Sequence, residues 1–401
     1  MAHAFIPYGI YWSTPFARWQ GPIAHLNSLK LAANTGKAAL AAKRFPMERI
    51  DLGLLGHTNP QLGSFYGLPY VTGMMGMDRV TGPTVTQACA TSARALQMAT
   101  QEVAEGASQC SLVICADRMS NAAVIYYPDS TAPGGRGITE SWSLDNFGND
   151  PYAKNAMIDT AENVCRRYGF TTAQQHEVAQ SRYVQYQDAL ANDRAFQRRY
   201  MVDVQVTDAG FRKQLGTFSA DDGIIATTAE GLAKLKPVKP DGTVTFGGQT
   251  HPADGNAGMI VTTQAGAKEL SLEPGIEVEL LGFGNARVEK GFMPAATVPA
   301  ALMSLKAAGL TMKDVTAVKS HNPFAANDLV FAKETGFPLE KMNNYGCSLI
   351  WGHPQGPTGL RLTIELIEEL AIRGGGIGLF TGCAAGDSGM ALVLRVTDTR
   401  R

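Results

Sequence analysis

The sequence predicts an α/β protein with two similar halves and a segment of different composition between them. Apolar runs alternate with helical periodicity along most of the 401 residues, which favours helices packed on a sheet. A reactive residue beside a helix, followed by an apolar strand, occurs around Cys89 and again around His353. We therefore expect a weakly duplicated core, although two ordinary βαβ units would show the same likeness.

The first unit begins at residues 84–86, which are β-prone and lead into Cys89. Apolar residues then recur at steps of three and four, as on one face of a helix: Ala93, Leu96, Ala99 and Val103. Gly106 offers a stop, and residues 111–116 have the composition of a buried strand. This pattern predicts a strand, a helix and a second strand, with Cys89 at the first junction.

The second unit opens at Gly352-His353-Pro354 and continues with apolar residues at helical spacing: Leu360, Ile364, Leu366, Ile367 and Leu370. The glycines at 374–376 are expected to end this helix, and residues 377–380 to enter a strand. His353 therefore lies just before a helix, as Cys89 does.

Residues 121–241, between the two units, are richer in polar and aromatic side chains. Pro-Gly-Gly at 133–135 breaks regular structure, and a charged helix is expected from Thr160 to Tyr168. This composition predicts an inserted subdomain over the site, which returns to the core through residues 237–242.

The composition excludes several classes of protein. A formal net charge of −1 provides no basic field for nucleic acid, and the apolar runs are far too short for a membrane span. The first seven residues lack a basic segment followed by an apolar stretch, so we expect no secretory signal. Charged residues make up 18% of the chain, below the roughly 25% usual for soluble domains, which fits a large core or subunit interface.

The six cysteines form no C-x-x-C pair and lack the spacing of a zinc site. We therefore expect free thiols, no metal and a reducing, cytoplasmic environment. Cys89 is the first candidate nucleophile, because the positive end of a helix dipole favours a thiolate. A cysteine more commonly fills space in a core, a role that suits three others better: Cys110, Cys115 and Cys165.

Three further residues are candidates for chemistry. His353 lies among glycines that bring backbone close to a ligand, and a histidine there can deprotonate a thiol; the alternative is a structural histidine in a tight turn. Cys383 follows a strand and precedes small residues whose N–H groups could face a substrate oxygen. His321 follows a predicted strand at residues 315–319.

Together these motifs resemble the thiolase superfamily of acetyl-CoA acetyltransferases and 3-ketoacyl-CoA thiolases. The specific parts are Cys89-Ala90-Thr91-Ser92, the Gly352-His353-Pro354 loop and Gly382-Cys383. Four more motifs occur in the family's order, from about residue 20 to the C-terminus: Ala161-Glu162-Asn163-Val164 with Tyr168-Gly169, Ala253-Asp254-Gly255, His321-Asn322-Pro323-Phe324 and residues 336–343.

The resemblance implies a duplicated thiolase fold, with two βαβαβαββ halves in five layers, α-β-α-β-α, and an inserted loop domain. Residues 1–120 and 243–270 would form the N-terminal half, and residues 271–401 the C-terminal half. Residues 121–242 would form the loop domain over the coenzyme A site. The family forms dimers or dimers of dimers, so a homodimer or tetramer is expected.

The resemblance also implies an acyltransferase that cleaves a 3-ketoacyl-CoA with coenzyme A or runs the reverse Claisen condensation. Cys89 would carry the acyl group, His353 would activate Cys89, and Cys383 would protonate or deprotonate the carbon nucleophile. Coenzyme A is then a cosubstrate, with no bound cofactor and no metal. His321 and His353 would bind the thioester oxygen, and the N–H groups of Cys89 and Ala385 would form a second oxyanion hole.

The chain departs from the family pattern beside two of these residues. Asn322 stands where histidine-type thiolases have an acidic residue, which leaves the orientation of His321 open. After Cys383 the usual glycine run is replaced by Ala384-Ala385-Gly386-Asp387. The N–H of Ala385 can still serve, and Asp387 is expected at a partner or substrate surface.

A third departure concerns the substrate. Small-substrate thiolases often carry histidine before the methionine that corresponds to Met157, whereas this chain has Ala156. We therefore expect a larger or drier pocket for a bulky, branched, aromatic or carboxylated acyl group, as in benzoylsuccinyl-CoA. The thiolase for that ester works with a small zinc-ribbon or OB-fold accessory subunit, which would then be a partner here.

Four residues are expected to contact the substrate or coenzyme A: Met157, Thr250, Asn322 and Phe324. Of these, Thr250 corresponds to a position that contacts pantetheine. Arg212 and Lys213 are candidates for the nucleotide phosphates, although a solvated surface role suits each of them better.

Other functions are weighed against the same residues. Condensing enzymes of the ketoacyl-synthase kind lack the second catalytic cysteine, so Cys383 argues against them. A non-catalytic thiolase-like subunit is expected to have lost one of the three main groups, yet Cys89, His353 and Cys383 are all present. A cysteine protease has no use for the paired thiols.

Overall fold

The computed structural model describes residues 4–400. Residues 1–3, which belong to the segment considered for a secretory signal, and residue 401 lie outside the described part. The strands are β1 (Ala4–Pro7), β2 (Tyr11–Ser13), β3 (Ala17–Arg18), β4 (Leu52–Gly56), β5 (Thr84–Val85), β6 (Cys110–Arg118), β7 (Val124–Tyr127), β8 (Ile138–Ser141), β9 (Val204–Thr207), β10 (Gln214–Phe218), β11 (Ala253–Thr262), β12 (Ile276–Arg287), β13 (Ala317–His321), β14 (Gly375–Ala384) and β15 (Ser388–Asp398). The helices are α1 (Ser28–Ala42), α2 (Leu68–Met75), α3 (Thr91–Ala104), α4 (Leu144–Gly148), α5 (Met157–Tyr168), α6 (Thr172–Arg194), α7 (Ala229–Ala233), α8 (Gln264–Leu270), α9 (Thr297–Ala307), α10 (Ala325–Thr335), α11 (Ser348–Trp351) and α12 (Gln355–Arg373).

The two units predicted around the reactive residues are present as α3 with β6 and as α12 with β14. Gly106 follows α3 with a φ of 78°, and Gly374 caps α12 with a φ of 87°, a conformation that favours glycine. Of the three glycines at 374–376 that were expected to end the helix, only Gly374 does so, because β14 already starts at Gly375. Helix α5 begins at Met157, three residues earlier than expected, where the Asp159 carboxylate accepts the Ala156 N–H at 2.9 Å.

The main sheet displays the duplication directly. Its hydrogen-bonded order is β13-β14-β15-β12-β1-β11-β6-β4-β5, and β2 and β3 also pair with β11. In the first half β4 pairs parallel with both β5 and β6, and in the second half β13 pairs parallel with β14. The strands that follow, β11 beside β6 and β15 beside β14, are antiparallel. The two halves join where β1 and β12 pair antiparallel. The predicted duplicated α/β core is confirmed.

Helices α3 and α12 form the central layer. They pack on each other, and α12 contacts strands of both halves, β6 and β11 on one side and β13 and β14 on the other. Helices α1 and α2 cover the outer face of the first half, and α9 covers the outer face of the second. The result is the predicted order of five layers.

Apolar packing holds these layers together. One cluster of buried side chains fills the space around α3 and α12, and includes Leu96, Leu366 and Phe380. A second lies under α1 and α2 around Trp12, and a third under α9 around Leu379. Burial of this kind contributes about 25 cal/mol per Å² of apolar surface, so all three clusters stabilise the layered arrangement.

The two halves differ at the edge of the sheet. Strand β5 in the first half has no full counterpart in the second, where a single bridge joins Val318 to Met342. The chain turns away there because Asn343 and Tyr345 have positive φ angles. The Asn343 side chain instead bonds Ser320 of β13.

The segment between β6 and β11 contributes no named strand to the main sheet. Its strands form two separate pairs, β7 with β8 and β9 with β10, and its helices α5 and α6 pack on α10. The boundaries at residues 121 and 242 stay a prediction. Within residues 4–400, no helix combines the length and the apolar character needed to cross a bilayer.

Candidate active site

Cys89 lies on a tight turn between β5 and α3, two residues before the helix starts. Ala88 has a φ of 45°, an uncommon conformation for alanine. Thr91 stabilises the turn, since its hydroxyl donates to the Ala88 carbonyl at 2.7 Å and accepts the Gln87 N–H at 2.9 Å. The Cys89 side chain, partly exposed, lines a cavity.

Burial favours the thiol form of Cys89, whereas the helix dipole led us to expect a thiolate. Burial raises the pKa of Cys89 to about 12, and the N–H groups of Ala385 and of Cys89 itself lower the pKa only in part. Desolvation therefore outweighs the dipole. The nucleophile needs a base, and the two N–H groups expected to form an oxyanion hole converge at its sulfur.

His353 is held in a tautomer that can act as that base. Its Nδ1 lies 2.7 Å from the Thr358 hydroxyl, and that hydroxyl lies 2.6 Å from the Pro354 carbonyl oxygen. A carbonyl oxygen can only accept, so the Thr358 hydroxyl donates its one proton to Pro354. The Thr358 oxygen therefore accepts from His353 Nδ1–H. The Nε2 atom of His353 then carries a lone pair, and it has no protein partner. Burial lowers the pKa of His353 to about 3, so the ring is neutral.

His321 ends strand β13 and stacks on His353, with ring centroids 4.0 Å apart at an angle of 29°. Its Nδ1 lies 2.9 Å from the Ser348 hydroxyl, and its Nε2 is buried without a partner. Burial, followed by the neighbouring His353, lowers the pKa of His321 well below its usual value. Both imidazoles are therefore neutral at physiological pH.

The Cys89 sulfur and one nitrogen of each histidine lie within 4.8 Å of one another. The structure thus brings together three residues that are far apart in sequence. Sulfur and imidazole nitrogen are also donors that zinc accepts. Among the described residues this is the one group of three that could hold a metal ion, while the absence of a metal from the reaction stays a prediction.

Cys383 lies near the end of β14, fully buried. Burial raises the pKa of this thiol, as does its nearness to Cys89, while the Asn327 amide lowers the pKa by donating to the sulfur at 3.2 Å. The Asn327 carbonyl accepts the Phe324 N–H at 3.2 Å, which fixes the direction of the amide. Asn327 was not singled out from the sequence.

The cavity at Cys89 has a volume of about 250 Å³. No charged side chain lines this cavity. Three of the four residues predicted to contact the substrate or coenzyme A do line it: Met157, Thr250 and Phe324. Its lining is mainly apolar and consists of Cys89, Met119, Phe147, Met157, Gln249, Thr250, Pro252, Met293, Pro323, Phe324, His353 and Gln355.

Some expected residues lie elsewhere. The Asn322 side chain is buried behind His321 and bonds Ser348 and Asp328, so the structure does not bring it to the cavity. Arg212 is 86% exposed, near Asp208 at the β9–β10 turn.

The expectation for Asp387 was wrong. This residue is only 3% exposed, and its carboxylate accepts the Gly291 N–H at 2.9 Å. It closes a loop inside the fold, because a backbone donor there needs an acceptor, and it does not meet a surface.

Asp117, at the end of β6, was missed although it supports the site. Its carboxylate accepts the Thr58 N–H and hydroxyl at 2.8 Å and the Gly356 N–H at 2.5 Å. The start of α12 is thereby tied to the first half of the sheet. A negative charge at a helix N-terminus is favourable, which explains why a buried aspartate is tolerated there.

Comparisons with known proteins agree with this geometry. The family model described as "Thiolase, N-terminal domain" matches residues 12–265, and "Thiolase, C-terminal domain" matches residues 276–396. An acetyl-CoA acetyltransferase of Allochromatium vinosum is 28% identical over 389 residues, covering 94% of this chain and 95% of the relative.

Two solved structures are similar along their whole length. The Bacillus anthracis acetyl-CoA acetyltransferase has a TM-score of 0.90 at 26% identity, covering 99% of both chains. Human mitochondrial 3-ketoacyl-CoA thiolase in complex with CoA has a TM-score of 0.89 at 25% identity, covering 99% of this chain and 98% of the other.

Proposed function

This chain belongs to the thiolase family, as an enzyme of the acyl-CoA C-acyltransferase type, and we propose that it cleaves or forms a carbon–carbon bond through an acyl-enzyme on Cys89. The observation that carries the proposal is the convergence of Cys89, His321 and His353 within 4.8 Å. Both Nε2 atoms there are buried and have no protein partner, and His353 also lines the cavity at Cys89.

In the first step His353 Nε2 takes the proton of the Cys89 thiol, and the sulfur attacks the 3-keto carbon of the substrate. The keto oxygen, now negative, accepts from the N–H groups of Cys89 and Ala385, both directed at the sulfur. His353, having gained a proton on Nε2, becomes a donor. The proton that leaves the Cys89 thiol is thus the one that His353 later donates in a hydrogen bond to a substrate oxygen.

In the second step the bond between carbons 2 and 3 breaks, and its electrons move onto the thioester half as an enolate. His321 and His353 would donate to the enolate oxygen, and Cys383 would give its proton to carbon 2. The thiol of coenzyme A then gives its proton to the Cys383 thiolate, and its sulfur attacks the acyl carbon on Cys89. The bond from that carbon to the Cys89 sulfur breaks, the acyl-CoA leaves, and Cys89 recovers its proton from His353. Condensation is the same sequence in reverse.

The second thiol supports thiolase chemistry over that of condensing enzymes with a single cysteine. The Cys383 sulfur accepts the Asn327 amide, which lowers the pKa of the thiol against the effect of burial. An acid that must also act as a base benefits from such a donor, because the donor stabilises the thiolate.

The acyl pocket supports a bulky apolar group. Met119, Phe147, Met157, Met293 and Phe324 surround Cys89, and the lining includes no cation that would pair with a carboxylate. An unpaired buried carboxylate is costly. We therefore infer an aromatic or branched acyl group. The acyl half of benzoylsuccinyl-CoA is aromatic and meets this condition, whereas its free carboxylate would have to lie outside this lining.

Coenzyme A would approach through a second cavity. This cavity, of about 270 Å³, shares Gln249 with the acyl pocket and is lined by residues between Gly223 and His251, with Leu349 and Ile350. Thr250, at the junction, donates its hydroxyl to the Ser348 carbonyl.

We also infer a homodimer or tetramer, an accessory subunit for an aromatic substrate, and a reducing compartment that suits six free cysteines.

Intact-protein mass spectrometry tests the proposal. The purified chain is exposed to a panel of acetoacetyl, branched and aromatic 3-ketoacyl-CoA esters, with Cys89→Ala and Cys165→Ala as the paired variants. We expect an adduct of one acyl group, absent in Cys89→Ala and retained in Cys165→Ala, that is strongest with aromatic or branched esters.

Two outcomes count against parts of this proposal. No adduct with any ester would refute acyl-enzyme formation by this chain alone. A faster reaction with acetoacetyl-CoA than with every bulky ester would refute the pocket assignment and leave the thiolase chemistry intact.

A further inference from the structure

The Ser348 hydroxyl lies between His321 and Asn322 and has one proton to give. It is 2.9 Å from His321 Nδ1 and 3.1 Å from the Asn322 side-chain oxygen. It also accepts the Asn322 backbone N–H at 3.1 Å. All three residues are fully buried, so no bulk water competes for the proton.

The destination of this proton decides what His321 can do. If Ser348 donates to Nδ1, the neutral ring must carry its own proton on Nε2, facing Cys89. If Ser348 donates to Asn322, then Nδ1 carries the ring proton and Nε2 presents only a lone pair. The first arrangement makes His321 a hydrogen-bond donor to a substrate oxygen, and the second does not.

The surroundings of Asn322 favour the first arrangement. The Asn322 side-chain oxygen already accepts the Leu349 N–H at 3.2 Å, so it is satisfied without the serine. Nδ1 of His321 bonds Ser348 in either arrangement, so the distances decide. The 3.1 Å from Ser348 to Asn322 is long for a hydrogen bond between two oxygens, whereas the 2.9 Å to Nδ1 is ordinary.

Asp328, on α10, fixes the direction of the Asn322 amide. Its Oδ2 accepts the Asn322 side-chain N–H at 2.8 Å and the Arg182 Nε–H at 2.8 Å, and its Oδ1 accepts the Ser320 hydroxyl at 2.6 Å. An amide that donates to a carboxylate cannot be reversed without placing two acceptors face to face. The chain of contacts therefore runs from Arg182 through Asp328, Asn322 and Ser348 to His321.

We propose that Ser348, oriented by the backbone N–H of Asn322, keeps His321 in the tautomer that carries its proton on Nε2, and so makes His321 a donor to the thioester oxygen. Ser348 is a positioning residue, since it acts through His321. Asp328, six residues further along the chain than Asn322, fixes the Asn322 amide rather than the imidazole.

The two stacked histidines then have opposite tautomers. Thr358 receives the proton of His353 Nδ1, which leaves a lone pair on His353 Nε2, while Ser348 gives a proton to His321 Nδ1. One ring accepts the proton of Cys89 and the other donates to the substrate. This division of roles rests on the proposed thiolase function, whereas the tautomer of His321 can be measured without any substrate.

Nitrogen-15 NMR of histidine-labelled enzyme provides that measurement, because a protonated and an unprotonated imidazole nitrogen differ widely in chemical shift. The signals of His321 are identified by their loss in His321→Asn. We expect a proton on Nε2 in the wild type. Ser348→Ala should shift His321 toward the other tautomer, and Ser348→Thr should keep the wild-type pattern.

Single-turnover acylation and steady-state kinetics with the best ester provide the second readout. We expect Ser348→Ala to lower kcat by roughly 10-fold or more with little change in KM, as for a donor used in the transition state. Ser348→Thr should recover most of this rate. Ser304→Ala, which removes a buried hydroxyl that bonds Ala301 on α9, should leave the rate unchanged.

A wild-type His321 protonated on Nδ1, or a tautomer unaffected by Ser348→Ala, would overturn the proposal. A loss of rate equal in Ser348→Ala and Ser348→Thr, with unchanged tautomers, would also overturn it, since it would mean a packing effect. If no ester acylates the wild type, the proposed function fails, and the NMR result still decides the tautomer.

Discussion

The rings of His321 and His353 are stacked at 4.0 Å, and hydroxyl groups of two different helices hold their Nδ1 atoms. Ser348 begins α11 and Thr358 lies in the first turn of α12. Both Nε2 atoms are buried without a protein partner, and one nitrogen of each ring lies within 4.8 Å of the Cys89 sulfur. The proposed function assigns both of these nitrogens to one substrate.

Replacement of His353 by asparagine should slow acylation of Cys89 by roughly 10²- to 10⁴-fold, because the thiol loses its base. Single-turnover mass spectrometry with a reactive ester measures the rate. His25→Asn, at an exposed ring that contacts the Thr207 carbonyl, should react at the wild-type rate. Equal rates for the wild type and His353→Asn would rule out His353 as the base.

The rate of alkylation of Cys89 should rise continuously with pH. Burial holds its pKa near 12, so the thiolate fraction increases about tenfold per pH unit below that value. His353 adds no step between pH 5 and 9, because its pKa lies near 3 and the ring stays neutral. Iodoacetamide labelling followed by mass spectrometry from pH 6 to pH 9 measures the rate, and a plateau near neutral pH would reveal a thiolate–imidazolium pair instead.

Removal of the Asn327 amide should impair the step at carbon 2 and spare acylation. Asn327 lowers the pKa of Cys383, and a hydrogen bond to a charged group contributes about 1.5–3 kcal/mol. Asn327→Ala should therefore slow deuterium exchange into acetyl-CoA in heavy water by roughly 10- to 100-fold. Cys383→Ala serves as the reference without exchange. If acylation falls as much as exchange, Asn327 acts on the fold rather than on Cys383.

Zinc should inhibit the enzyme reversibly. The Cys89 sulfur and the two histidine nitrogens lie within 4.8 Å, and this donor set suits zinc. Isothermal titration of metal-free protein should give one site per chain, lost in Cys89→Ala and retained in Cys165→Ala, with activity restored by EDTA. Equal binding to both variants would locate the metal elsewhere.

The fold could be predicted from sequence, and candidate reacting groups could be named, because both depend on local patterns. The helix after Cys89 is visible in the spacing of Leu96, Ala99 and Val103, and the loop at His353 in its glycines. The side chains that hydrogen-bond the candidate catalytic residues could not be predicted from local sequence patterns. Ser348 meets His321 across 27 residues and Asn327 meets Cys383 across 56, and no periodicity connects such pairs.

The state of Cys89 was misjudged for a related reason. A helix dipole can be inferred from a local pattern, but the burial that outweighs it depends on distant elements such as β14 and α12. Asp387 was misjudged likewise, since its partner Gly291 lies 96 residues away. Local sequence predicts which residues react, and the packing of both halves decides in which protonation state.

The equivalence of α3 and α12 has an evolutionary consequence. Cys89 precedes the first residue of α3 by two positions, and His353 precedes the first residue of α12 by two. An ancestral pair of identical halves would have carried the same side chain at both places. A nucleophile at one position and its base at the other require that the two halves have diverged, so a pair of identical halves could not have carried out the reaction in its proposed form.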